Sequence, residues 1–352
     1  MKVVLATGGT GGHLFPALKV ARFLRQRGDD VLFVGSFDKM PDKMKDENFR
    51  IIHCRVRGLA GVASYVPFCW LMLIGVLKAR RSFKEFRPDA VIGFGGYGSF
   101  PGVIAGWLCK IPVMIHEQNV VPGKANRLAA KFAVKIALSF PQAGKYFDKK
   151  KIVFTGCPVH AQQPSLSRAD ILRKFNFTEG KPVILIFGGS QGSRRINQLF
   201  FDSLQLFKNK IDVQIIHVTG HDDFNGYNEK YQALSVRASV HPFLNDIGLA
   251  YAAADVVIAR AGAVTVTEID QFNVPAILIP YPYAMAHQKE NAVILENKGK
   301  AVVLDEGTCT PELLHVNIER LLANASRMRR PGADTHLPTA EEKIVEALSL
   351  LI

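Results

Sequence analysis

Short apolar runs, each followed by a glycine-rich or polar turn and then by a segment with helical spacing, recur along the chain. The first run, Lys2-Val3-Val4-Leu5, is β-branched and reads as a buried strand. After the turn Ala6–Pro16, residues Ala17–Gly28 set Leu18, Ala21, Phe23 and Leu24 against Arg22, Arg25, Gln26 and Arg27, which predicts an amphipathic helix. Further strands are predicted at Val31–Val34, Ile51–His53, Ala90–Ile92, Val113–His116, Lys135–Leu138 and Ile152–Phe154. This alternation is that of an open parallel sheet with helices on both faces. The polar, proline-containing stretch Ala161-Gln162-Gln163-Pro164-Ser165 predicts a linker over 161–167. A second series then opens at Val183–Phe187 and continues at Gln214–Val218, Val256–Ala259, Ala276–Ile279 and Ala301–Leu304. A chain of 352 residues is long for one core. The expected fold class is therefore α/β, with two doubly wound, Rossmann-like domains (1–160 and 168–335) facing across a cleft. A last helix, Thr339–Leu350, lies in a segment (336–352) expected to pack back toward the first domain.

The turns carry the chemistry. Gly8-Gly9-Thr10-Gly11-Gly12 has four glycines in five residues, which removes the Cβ atoms that would keep a ligand from the backbone amides. The helix start behind it offers unpaired N–H groups and a partial positive charge, suited to a diphosphate. His13 stands at the mouth of this turn as a candidate proton acceptor. A dinucleotide fingerprint fails, because Leu14 stands where glycine is needed and the second strand ends in Gly35-Ser36. A P-loop also fails, since no Gly-Lys pair is followed by Ser or Thr.

Gly188-Gly189-Ser190-Gln191-Gly192 repeats the strand, glycine turn, helix device. It also fits the Gly-x-Ser-x-Gly elbow of a serine hydrolase, with Asp270 and His287 as partners in the right chain order. That alternative predicts labelling of Ser190 by a fluorophosphonate. Gly93 to Gly102 forms another such turn, and Arg260-Ala261-Gly262-Ala263 a fourth. A helix starting near Val264 aims its first amides at a phosphate, and Glu268, one turn inside, can accept both hydroxyls of a ribose.

Charge adds a partner. The net charge is +13, and residues 1–160 hold 25 Lys/Arg against 10 Asp/Glu, while the remainder holds 19 against 21. The whole positive excess lies on the first half, which points to an anionic surface, a membrane leaflet or a nucleic acid. No basic–aromatic motif of a nucleic-acid fold accompanies it. The uncharged stretch Val66–Leu77 ends in Lys78, Arg80, Arg81 and Lys84. It is too short to span a bilayer, and with Phe68, Trp70, Leu71 and Ile74 it fits shallow attachment to an anionic membrane. The alternative is a fully buried core helix. Five scattered cysteines without Cys-x-x-Cys argue for a reducing compartment and against a zinc cluster, and no signal peptide is expected. No Asp-x-Asp occurs, so no metal site is expected.

Taken in order, Gly8-Gly9-Thr10-Gly11-Gly12-His13, Gly95-Gly96-Tyr97, His116-Glu117-Gln118-Asn119, Gly188 to Gly192, Arg260 to Glu268, Pro280-Tyr281-Pro282-Tyr283, His287-Gln288 and Asn291 resemble the MurG-type peptidoglycan N-acetylglucosaminyltransferases. The resemblance implies a GT-B fold. It also implies inverting transfer of N-acetylglucosamine from UDP-GlcNAc to the C4 hydroxyl of undecaprenyl-diphosphate-MurNAc-pentapeptide (lipid I), giving lipid II on the cytoplasmic face of the bacterial inner membrane. UDP-GlcNAc is then a substrate, with no tightly bound cofactor and no nucleic-acid partner. The nearest rival is a related GT-B transferase acting on another lipid acceptor.

The family implies that Gly9, Thr10, Gly11 and Gly12, with Gly95, Gly96 and Tyr97, hold the acceptor diphosphate, Thr10 to Gly12 also bordering the donor. Ser190 and the segment Ala263, Val264, Thr265, Val266 and Thr267 take the donor phosphates, and Glu268 the ribose. Uracil meets the backbone at Phe243-Leu244, Gln288 and Asn291 reach the sugar, and Asn119 reaches across the cleft. His13 is the candidate general base, or else positions the diphosphate. One departure stands out: Gly156-Cys157-Pro158-Val159-His160 has histidine where the family has arginine approaching the donor. Weaker or more pH-dependent donor binding through His160 is expected, and a donor KM flat from pH 6 to 8 counts against it.

Overall fold

The computed structural model describes residues 1–8, 11–37, 47–56, 65–207, 212–283, 287–328 and 338–352. The chain divides into two compact units, Met1–His160 with His336–Ile352, and Ala161–Thr335.

Among the described residues the first unit has β1 (Lys2–Thr7), β2 (Asp30–Gly35), β3 (Arg50–His53), β4 (Ala90–Gly93), β5 (Val113–Glu117), β6 (Lys135–Leu138) and β7 (Ile152–Phe154). They form one sheet in the order β3-β2-β1-β4-β5-β6-β7, and each neighbouring pair is parallel. Apolar side chains are buried on both faces, Val3, Leu5 and Ile92 on one, Val4, Ala6 and Val91 on the other. That is why these strands read as continuous apolar runs rather than alternating ones. The helix Gly11–Gln26 begins at the glycine turn itself, well before Ala17, because Gly11 and Gly12 already take helical geometry. The C-terminal helix Ala340–Ser349 starts with a Thr339–Glu342 capping box. It buries Ile344, Val345 and Leu348 against the first sheet's core, and Lys19 pairs with Glu341 at 3.4 Å.

The second unit holds β8 (Val183–Phe187), β9 (Gln214–Val218), β10 (Arg237–His241), β11 (Val256–Ala259), β12 (Ala276–Leu278) and β13 (Ala301–Val303), in the order β10-β9-β8-β11-β12-β13. β10 has no counterpart among the sequence-predicted strands. Its residues Arg-Ala-Ser-Val-His are mostly polar because it is the sheet's edge and none of them is fully buried. Its end delivers Phe243 and Leu244 to the carboxyl side of the sheet.

In each sheet the strand order reverses once, between β1 and β4 and between β8 and β11. Helices leave to opposite faces at such a point, so a crevice opens at the carboxyl ends of those strands, where open α/β sheets bind ligands. The glycine turns of each unit lie there. Close packing near the first of them is testable at Gly102, on the helix Phe100–Leu108: an added Cβ would stand 2.7 Å from the Cβ of Ala6 and 3.4 Å from Val34. Gly102→Ala is expected to cost about 1–3 kcal/mol through overpacking, read as a lower urea midpoint at unchanged m.

Candidate active site

In the first unit, the turns after β1 and β4 touch through their backbones. Gly8 N–H donates to Gly95 O at 3.2 Å. Gly95 and Gly96 have φ of +92° and +71°, and their faces lie against the His13 ring: a Cβ on either would come within 3.2–3.3 Å of it. Glycine is required here for both reasons. Gly11 and Gly12 open the helix at the partly exposed end of the crevice, and a Cβ on Gly12 would meet nothing within 4 Å. Gly9 and Thr10 lie outside the described residues.

His13, half-buried, contacts Gln118 through Nδ1···Oε1 at 3.2 Å. The segment His116-Glu117-Gln118-Asn119 at the end of β5 is a polar knot. Glu117 Oε1 accepts from Asn119 N (2.8 Å) and Nδ2 (3.1 Å), and its Oε2 accepts from Asn126 Nδ2 (2.9 Å). Asn119 is therefore tied to its own strand end. Gln118 and Asn126 were not singled out as site residues from sequence. The signal that could have found them is a polar run closing an otherwise apolar strand at the switch point.

His160 is positioned by Arg22, whose Nη1 lies 3.0 Å from His160 Nδ1 and which also grips Glu47. A guanidinium can only donate, so Nδ1 is the acceptor in this contact.

The helix Tyr65–Phe86 is not buried all round. Val76, Ala79, Phe83 and Phe86 face the core, while Trp70 is 63% exposed, Leu77 56% and Ile74 45%. Lys78, Arg80, Arg81 and Lys84 are exposed on the same helix. Leu71 and Phe68 are half-buried, Phe68 edge-on to the Tyr97 ring of the glycine turn at 5.6 Å. No described helix is long and apolar enough to cross a membrane.

In the second unit, Arg260 gathers the turns. Only 6% exposed, it donates to Ser193 Oγ at 3.0 Å, to Ile279 O at 3.1 Å and to Pro280 O at 3.3 Å, and it pairs with Glu306. Ser193 Oγ also caps the helix Arg194–Leu204. Ser190 stays exposed at the tip of the turn. Asp270, the acid of the hydrolase alternative, is held by Lys298 and Lys300.

The helix Ala263–Phe272 begins after Gly262, which supplies no side-chain cap. Its first amides, at Ala263, Val264 and Thr265, are thus left for a ligand or water. The side chains of this turn do less: Val266 is in the core, and the Thr267 hydroxyl donates back to Ala263 O. Gln288 Oε1 accepts from Ala261 N (3.2 Å) and Tyr281 N (2.9 Å), while among the described residues its Nε2 end has no hydrogen-bond partner. Asn291, placed near the sugar by the resemblance, is fully buried, and its Nδ2 donates to Ala261 O at 3.2 Å. Leu244 is half-buried beside the more exposed Phe243.

Glu268 is 5% exposed. Tyr251 Oη donates to its Oε2 at 3.0 Å and Ala161 N–H to its Oε1 at 3.3 Å. Burial pushes its pKa up to about 7 against these two hydrogen bonds. A carboxylate has about four acceptor positions, and these two hydrogen bonds fill two of them. Among the described residues no group of His, Cys, Asp and Glu is arranged to hold a metal ion.

The glycosyltransferase family 28 N-terminal domain matches residues 3–138 and the family 28 C-terminal domain matches residues 183–347. A UDP-N-acetylglucosamine–N-acetylmuramyl-(pentapeptide) pyrophosphoryl-undecaprenol N-acetylglucosamine transferase of Halothermothrix orenii is 40% identical over 346 residues, covering 94% of this chain and 92% of the relative. The protein of the same name from Acetivibrio thermocellus is 36% identical, covering 99% and 97%. The crystal structure of Acinetobacter baumannii MurG aligns with a TM-score of 0.75 at 32% identity over 99% of each chain. A calicheamicin glycosyltransferase, at 14% identity and a TM-score of 0.64 over 98% and 94%, shares the fold. With both halves matched and relatives this close over nearly the whole length, the chain belongs to glycosyltransferase family 28, among its MurG-type N-acetylglucosaminyltransferases.

Proposed function

We propose that this enzyme transfers N-acetylglucosamine from UDP-GlcNAc to the C4 hydroxyl of lipid I with inversion, forming lipid II. Identities of 40% and 36% over nearly the whole length to transferases of that name carry the reading. The two glycine-turn crevices agree with it, because a reaction between two diphosphate-bearing substrates calls for two such sites.

The acceptor diphosphate lies against the amides of the first turn, with Gly95, Gly96 and Tyr97 beside it. The uridine ribose reaches Glu268, the uracil meets Phe243-Leu244, and Gln288 Nε2 reaches the sugar. In the displacement, the C4 oxygen bonds to the anomeric carbon as its proton passes to His13, and the bond from that carbon to the β-phosphate oxygen breaks. The departing UDP gathers negative charge at the start of the helix Ala263–Phe272, where fixed N–H dipoles and Ser190 stabilise it. Incubation with radiolabelled UDP-GlcNAc and a lipid I analogue is expected to yield labelled disaccharide product; no product, or free GlcNAc alone, overturns the reading.

The enzyme works at the cytoplasmic face of the inner membrane as a peripheral protein. The exposed Trp70, Ile74 and Leu77 enter the lipid, and Lys78, Arg80, Arg81 and Lys84 each add about 1 kcal/mol on an anionic leaflet. Ile74→Asp with Leu77→Asp is expected to weaken cosedimentation with phosphatidylglycerol vesicles at least about tenfold, since burying a charge replaces burying aliphatic surface. Unchanged vesicle binding overturns that attachment.

A further inference from the structure

The hydrogen bonds behind His13 run in one direction. Gln118, 1% exposed, sets its side-chain amide between His13 and His116. Its Nε2 lies 2.9 Å from Phe94 O, which can only accept, so the NH₂ end faces that carbonyl and Oε1 faces His13 Nδ1. Oε1 also only accepts, so the hydrogen between them belongs to His13 Nδ1. In the neutral ring the lone pair then sits on Nε2. That nitrogen lies on the side of the glycine turn, where a Cβ on Gly96 would stand 3.7 Å from it.

The far end of the chain agrees. His116 Nε2 is 3.0 Å from Gly156 O, another pure acceptor, and so carries that ring's hydrogen. Its bare Nδ1, 3.1 Å from Gln118 Nε2, accepts from the same amide. His116 is fully buried, which drives its pKa down to about 4 and keeps the ring neutral in this role.

We infer that Gln118 is a positioning residue for the base: it selects the His13 tautomer whose Nε2 receives the proton of the attacking hydroxyl. Through Phe94 O it ties that choice to the glycine turn, and through His116 to the Gly156 carbonyl. The inference rests on His13 acting as the base. It explains why an amide, which both donates and accepts, stands where a carboxylate would leave Phe94 O and His116 Nδ1 without a donor.

The test has one measurement on the unaltered enzyme and one on variants. In ¹⁵N-histidine-labelled enzyme above the ring's titration, a long-range ¹H–¹⁵N spectrum is expected to show His13 with the hydrogen on Nδ1. In Gln118→Met, close in volume but without donor or acceptor, that preference is lost. There kcat falls about 10- to 100-fold with both KM values little changed, the pattern of a group acting only at the transition state. In a His13→Ala background the same substitution is expected to have no further effect. A wild-type ring with its hydrogen on Nε2, or an equal loss in both backgrounds, overturns the inference. Inactive His13→Ala beside fully active Gln118→Met overturns it alone. His13→Ala with wild-type kcat overturns the base assignment first, and this inference with it.

Discussion

His13→Ala is expected to lower kcat by about 10²–10⁴-fold, the usual contribution of a positioned general base, while the KM for UDP-GlcNAc changes little. The split follows from where the groups lie. The donor is assigned to Glu268, Gln288 and the amides of the helix Ala263–Phe272, all in the second unit, whereas His13 belongs to the first. A residue that only held the acceptor diphosphate would act in ground state and transition state alike, so its loss would raise the acceptor KM and leave kcat standing. Steady-state kinetics with both substrates varied separates the two. Unchanged kcat with a raised acceptor KM ends the catalytic assignment. The alanine itself should fold, because the glycine turn is held by backbone contacts such as Gly8 N–H to Gly95 O.

The second large effect concerns Glu268, and it appears in stability as well as in binding. Its folded pKa is about 7 against an ordinary 4.5, raised by burial. Between those values the folded protein holds a proton that the unfolded chain has released, so stability falls as pH rises. The contribution is complete below about 4.5 and is lost as pH passes through about 7, the loss reaching about 3 kcal/mol at higher pH. Glu268→Gln cannot ionise. Its thermal midpoint without ligand is therefore expected to gain on the wild type by several degrees between pH 5 and pH 8.5; a constant difference contradicts this account.

The same carboxylate is the proposed acceptor for the ribose diol, which favours the ionised form. UDP is accordingly expected to bind the wild type more tightly as pH rises through 7 and to release protons on binding. In Glu268→Gln its affinity should fall about 10- to 100-fold at pH 8, the range for losing hydrogen bonds to a charged group. Calorimetry in buffers of different ionisation enthalpy measures both. Glu268 is thus a buried acid whose ionisation costs the folded state stability above about pH 7, and the proposed ribose diol would offset that cost by donating to it.

Much of this architecture was legible in the chain because its sheets are parallel and covered on both faces. Strands of that kind must be apolar throughout, so Val183–Phe187 and Val256–Ala259 stand out with no tertiary information. β10 escaped because an edge strand has little apolar surface to hide. The glycine turns were visible for a different reason: close backbone approach excludes a Cβ, and glycine is the residue that satisfies it. The roles of the side chains around them were less readable. Asn291 and Gln288 are three residues apart on one helix, yet one braces Ala261 from within and the other keeps an amide end available. His160 sits where the family has arginine, and its Nδ1 faces Arg22, 138 residues earlier.

By itself the sequence determined the elements, their alternation, the places where the backbone must be bare, and the basic, apolar character of the first half. These depend on short-range sterics and on which residues can leave water. The tertiary structure alone decided which end of Gln118 faces His13, how deeply Glu268 lies beneath Tyr251, and which side of the helix Tyr65–Phe86 remains exposed. Those outcomes turn on partners brought together from 17 to 105 positions away. The direction of a hydrogen bond or the ionisation of a carboxyl is set by those partners, and no residue carries it in its own identity.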